Sequence, residues 1–213
     1  MNQLKKIVVV LVATLILAGC NSSTERTNRL ITLLQDNVTA IVNDITEIQL
    51  AENNLQAEFD TTLSSGSDDF SGFLNEDSPI QQNIQRRKEH LSKLDEHRND
   101  LLSLIDEVEN QKDKTPLPTE QVNSHADQLK GLAEGLNIYI NDYLENIDTE
   151  SIIYKSLANP ETNYESFFSV FDRVNVLHTT NNINLEQILG YFEPINAQLI
   201  NFKVYLANLQ ENN

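Results

Sequence analysis

Tryptophan is missing from this chain, and cysteine occurs once, as Cys20. A single thiol excludes an internal disulfide framework and a cysteine metal cage. Glycine (6) and proline (5) are scarce among 213 residues, and Leu, Ile, Asn, Gln, Glu and Asp dominate. That composition belongs to long helices rather than to a compact enzyme fold. Basic residues are outnumbered, 15 against 32 acids, for a net charge of −17. Such a surface repels nucleic acid, anionic headgroups and other polyanions, so no nucleic-acid partner is expected. Gly-rich phosphate loops, HExxH, GxSxG and EF-hand loops are all lacking, as are repeats of solenoid period. Nothing supplies a nucleophile or an oxyanion site, so neither catalysis nor a cofactor or metal is expected. The apolar run Ile7–Leu17 is too short to cross a bilayer.

What is present begins with that run. Lys5 and Lys6 precede it, and Leu17-Ala18-Gly19-Cys20 closes it. A basic start, a short apolar stretch and small residues at the cut form a secretory signal over 1–19. Cysteine directly after Leu-Ala-Gly resembles a bacterial lipoprotein signal. That resemblance implies that the Cys20 thiol takes a diacylglyceryl group and becomes the new N-terminus. The expected location is the extracytoplasmic face of the cell membrane, held by the lipid on Cys20. Two acyl chains suffice for stable anchoring. Removal of 1–19 takes Lys5 and Lys6 with it, shifting the net charge from −17 to −19.

Residues 20–29 read as a polar tether and 30–213 as one helical body. Apolar residues recur in steps of four and three, the heptad signature of helices packed side by side. The first helix carries Leu34, Val38, Ile41, Ile45, Ile48, Leu55 and Phe59, with Glu52 breaking the series. Residues 60–78 form an acidic, Gly/Ser-rich loop holding Phe70, Phe73 and Leu74. These three either fold back on the bundle end or offer contacts to a partner. Ser78-Pro79 caps a second helix running from Ile80 to Val108, stopped by Pro116 and Pro118. Thr119 caps a third, whose seam includes Val122, Leu129, Leu136, Tyr143 and Ile147, and Asn159-Pro160 ends it. A fourth seam runs from Tyr164 through Val174, His178, Asn181 and Leu185 to Leu209. Thr179–Asn182 and Pro194 are poor helix formers within it. The fold class is therefore all-α, an elongated, coiled-coil-like antiparallel bundle of four long helices.

Antiparallel pairing restricts which seam residues meet, at the first hairpin only modulo seven residues because its loop is long. Facing Phe59 with Ile80 sets Glu52 opposite Arg87. Facing Val108 with Val122 sets Arg87 opposite Tyr143. Facing Leu157 with Tyr164 sets Tyr143 opposite His178 and Ile140 opposite Asn181. The exceptions Glu52, Arg87, Tyr143 and His178 thus fall in one polar layer, with Asn181 a step away. In it, Glu52 and Arg87 satisfy each other. The layer is either a network that fixes register or a pH-sensitive or small-ligand pocket. His90, His97 and His125 are placed on solvated flanks, His90 and His97 too far apart to share a metal.

The layout resembles the cell-wall-binding lipoproteins of low-GC Gram-positive bacteria, and more closely their EMYY-motif relatives. The resemblance rests on the lipobox, on Asn159-Pro160-Glu161-Thr162-Asn163-Tyr164, and on the stretch from Asn175-Val176-Leu177-His178 to Leu189-Gly190-Tyr191-Phe192-Glu193-Pro194. Ser151-Ile152-Ile153-Tyr154 stands where the name motif falls and matches it at Tyr154. The resemblance implies an envelope protein or cell-wall partner, with no catalytic residues to carry over. Beside it stands the alternative of a small-ligand or ion-binding lipoprotein using the polar layer.

Overall fold

The computed structural model describes residues 23–65 and 70–211. The signal segment, Cys20 and the centre of the acidic loop lie outside the described residues. Among those described there are α-helices and short 3-10 turns but no strands. Helix α1 spans Ser23–Asn53 and α2 spans Leu55–Ser65. A 3-10 turn at Ser71–Leu74 leads to α3, Pro79–Gln111. Helix α4 spans Thr119–Lys155, followed by a 3-10 turn at Ser156–Ala158, and α5 spans Tyr164–Glu211.

The fold is the expected all-α bundle, with the first pass split into α1 and α2. Helices α1 and α3, α3 and α4, and α4 and α5 pack along their lengths, whereas α1 and α5 meet less extensively. At 1.5 Å per residue the 48 residues of α5 reach ~70 Å. The heptad seams form one core from Leu30 to Leu206. Helix α5 runs unbroken through Asn181 and Pro194. The buried residues Leu185, Ile188, Phe192, Ile195 and Leu199 supply the packing that overrides local propensity there.

Several boundaries differ from the sequence reading. Helix α1 begins at Ser23, so the tether expected over 20–29 is helical from that residue on. Thr27 and Leu30 are already buried. The expected loop over 60–78 is helical to Ser65 and folds again at Ser71. Phe73 is fully buried, its ring 5.0 Å from Phe59, and Phe70 rests 5.7 Å from Phe167. Leu74 stays exposed. Ser78 precedes α3 but its hydroxyl makes no cap; Thr62 on α2 accepts the Ile80 N–H instead (3.2 Å). Thr119 is the first residue of α4 rather than its cap. At the start of α5, Asn163 accepts the Ser166 N–H (3.0 Å) and Ser166 Oγ accepts the Asn163 N–H (2.8 Å), a reciprocal cap. Tyr164, expected on the seam, is 81% exposed.

Glycine sets the α4–α5 spacing. A Cβ at Gly135 would sit 2.7 Å from Cγ2 of Ile188, which is fully buried. A Cβ at Gly190 would meet nothing within 4 Å. Alanine gains about 1 kcal/mol over glycine inside a helix, but overpacking a core costs ~1–3 kcal/mol. Gly190→Ala should therefore raise the urea midpoint and Gly135→Ala should lower it. Two shifts of the same sign would contradict this packing.

Candidate functional site

Arginine on a heptad seam has to be satisfied inside the bundle. Arg87, on α3, is 0% exposed. Its guanidinium grips Glu150 of α4 in a fork: Nη1 donates to Oε2 (2.9 Å) and Nη2 to Oε1 (2.7 Å). Nε donates to Oδ1 of Asn83 (2.8 Å), one turn earlier on α3. Nη1 also reaches the Tyr143 hydroxyl oxygen (3.2 Å), and that hydroxyl donates to Glu52 Oε1 (2.5 Å) on α1. His178 Nε2, from α5, lies 3.3 Å from Glu150 Oε2. The layer therefore draws on α1, α3, α4 and α5.

Asn83 also ties the layer to the break in the first pass. Its Nδ2 donates to the Ala51 carbonyl (2.7 Å), which also accepts the Asn54 N–H (3.1 Å). The helical ladder is interrupted at Asn54. A side chain inserted on a helix carbonyl is a recognised cause of such a break.

Burial disfavours both charges of the pair, but their mutual attraction outweighs it. Burial opposes ionisation of Glu150, yet the Arg87 charge and hydrogen bonds from His178 and Arg87 bring its pKa down to about 2. Burial likewise opposes the Arg87 charge, while Glu150 and Tyr143 hold its pKa above the ordinary value. Burial pushes the Tyr143 hydroxyl well above its usual range, against the pull of Arg87 and with Glu52 adding to it. Tyr143 thus remains a proton donor to Glu52.

Four of the five expected residues come together: Glu52, Arg87, Tyr143 and His178. The partner assignment differs. Glu52 meets Arg87 only through Tyr143, and Glu150 takes the guanidinium. The α4–α5 pairing around the layer also differs from the expected one. His178 faces Glu150 rather than Tyr143, and Asn181 accepts from Asn146 Nδ2 (2.7 Å) rather than facing Ile140. The reason is the connection, because α4 ends at Lys155 and a 3-10 turn plus Asn159–Asn163 lengthens what looked like a tight corner. Asn181 is buried, but its Nδ2 has no protein partner.

Glu150 and Asn83 escaped the sequence reading. Glu150 had a signal, since it stands three residues after Ile147 and four before Tyr154, on the seam itself. Asn83 lies beside the seam, next to Ile84, and had none.

Of the other histidines, only His125 departs from the expected solvated flank, while His90 and His97 are partly exposed. His90 Nδ1 and His97 Nδ1 both contact the Asp44 carboxylate, at 3.1 and 2.8 Å, so they share an acid between α1 and α3. His125 is 2% exposed and packs edge-to-face on Phe202, with no protein partner for either ring nitrogen. Burial lowers its pKa to about 4. Among the described residues, no group of three or more His, Cys, Asp or Glu is placed to hold a metal ion.

These environments set the acid response. The unfolded chain protonates His125 near 6.5 and the folded chain near 4, so its contribution is complete above 6.5 and fades as pH falls towards 4. Glu150 contributes above 4.5 and loses its contribution as pH falls towards 2. Urea unfolding across this range should show stability falling in both windows, and His125→Phe should flatten only the upper one. An unchanged slope there in His125→Phe would contradict the buried, unpartnered imidazole.

No helix among the described residues is long and apolar enough to cross a membrane. No curated protein and no solved structure matches the chain. A family model does: YkyA, described as "Putative cell-wall binding lipoprotein", matches residues 22–203, which covers α1 to most of α5. By that match across the helical body, the chain belongs to the YkyA family of lipoproteins.

Proposed function

We propose that this protein is a lipid-anchored helical rod on the extracytoplasmic face of the cell membrane, held by Cys20, that engages a cell-wall or envelope partner. The family match over the helical body carries this reading. The Leu17-Ala18-Gly19-Cys20 sequence supports the anchor. Its role is structural and binding rather than catalytic.

The geometry suits such a role. Helix α1 starts at Ser23, close in sequence to Cys20, and runs away from it. The opposite end carries the Phe59, Phe73, Tyr154, Phe167 and Phe171 rings, with Tyr164, Phe168 and Leu74 exposed around them. One helical pass, α1 with α2, sets that end roughly 60 Å from Ser23. The net charge of −19 after signal removal would hold the rod off anionic lipid and disfavours anionic wall polymers. Wall engagement is thus local, at uncharged or cationic groups.

A Cys20→Ala variant should leave the membrane fraction, either released to the medium or accumulating with residues 1–19 uncleaved. Normal processing and full membrane retention would contradict the anchor.

A further inference from the structure

The buried layer has one open edge. Glu52 of α1 and His178 of α5 border a cleft of about 370 Å³ whose other lining residues are Gln49, Asn53 and Asn182. It lies on the α1–α5 side, where the bundle packs least extensively. One wall adjoins the break at Asn54, whereas the other, at His178 and Asn182, is regular helix. The volume falls in the range of small-molecule sites, about 300–1,000 Å³, but every lining side chain is polar, unlike the apolar pockets usual for such ligands.

Charge narrows the ligand class. Arg87 is fully occupied by Glu150, Asn83 and Tyr143, so its charge is not offered to the cleft. Glu52 and Glu150 outnumber Arg87 in the layer by one negative charge when His178 is neutral. No lysine or arginine lines the cleft. Oε1 of Glu52 is held by the Tyr143 hydroxyl, which fixes the carboxylate at the edge of the cleft. Three amides around it offer both donors and acceptors.

We propose that this cleft binds a small hydroxylated or amide-bearing ligand through a cationic amine, with the ammonium on Glu52 and the neutral polar groups on Gln49, Asn53 and Asn182. Binding there is independent of wall engagement by the rod and of the lipid anchor, so either can fail while the other stands.

The chain lacking only residues 1–19, with Cys20→Ser to keep it unlipidated, is titrated with D-glucosamine, and the side-chain amide signals of Gln49, Asn53 and Asn182 are followed by NMR. N-acetylglucosamine has the same ring and hydroxyls without the charge. The expected result is saturable shifts with glucosamine, with a Kd on the order of 1 mM, and binding of N-acetylglucosamine weaker by at least about tenfold. Glu52→Gln, which keeps the shape and a weaker acceptor for Tyr143, should lose glucosamine binding while the helical circular dichroism is retained. Should Glu52→Gln fail to fold, Asn182→Ala, at an exposed position, should weaken binding several-fold. Absence of saturable shifts, equal binding of the two sugars, or undiminished binding in a folded Glu52→Gln or in Asn182→Ala would overturn the assignment.

Discussion

A guanidinium with no exposure to water is the constraint on which this bundle depends. Leucine and isoleucine seams tolerate a slip of one heptad, because each apolar layer resembles the next. Arg87 does not tolerate it. A slip would separate Arg87 from Glu150 and leave a buried charge unpaired, which costs ~3–5 kcal/mol. The pair itself adds little net stability over apolar residues of the same size. Its contribution is selection of one register, and the fork geometry makes that selection directional.

The same network shapes the neighbouring helices. Asn83 accepts from Arg87 and donates to the Ala51 carbonyl, so satisfying the arginine is tied to the break between α1 and α2. Beyond the break, α2 carries Phe59 into the terminal aromatic cluster and Thr62 onto the start of α3. Towards the other end, Asp44 joins His90 and His97, and His125 lies buried against Phe202. Polar groups thus recur along the core, and most sit where two or more helices must agree on register.

Most of this was legible in the heptads. The helical passes, the continuity of the α5 seam past Val174, and the meeting of Glu52, Arg87 and Tyr143 follow from apolar spacing and proline position, whereas His178 joins through Glu150. The α4–α5 register was not legible, because a 3-10 turn after Lys155 leaves no mark in apolar periodicity. Glu150 stood on the seam, but in a chain with 32 acids a single carboxylate carries little weight. The contacts of Asn83 and the burial of His125 depend on side-chain geometry between helices, which spacing within one helix does not encode. The lipid anchor rests on the Leu-Ala-Gly-Cys sequence alone.

A rod with a single fixed register keeps its two ends at a set distance, which suits the anchored, wall-directed role proposed above. Whether Arg87 and Glu150 set that register is tested most directly by a double-mutant cycle on unfolding free energy, using Arg87→Leu, Glu150→Leu and the pair together. Each single change should destabilise by ~3–5 kcal/mol and the double change by far less than their sum. Additivity of the two within about 0.5 kcal/mol would contradict the account.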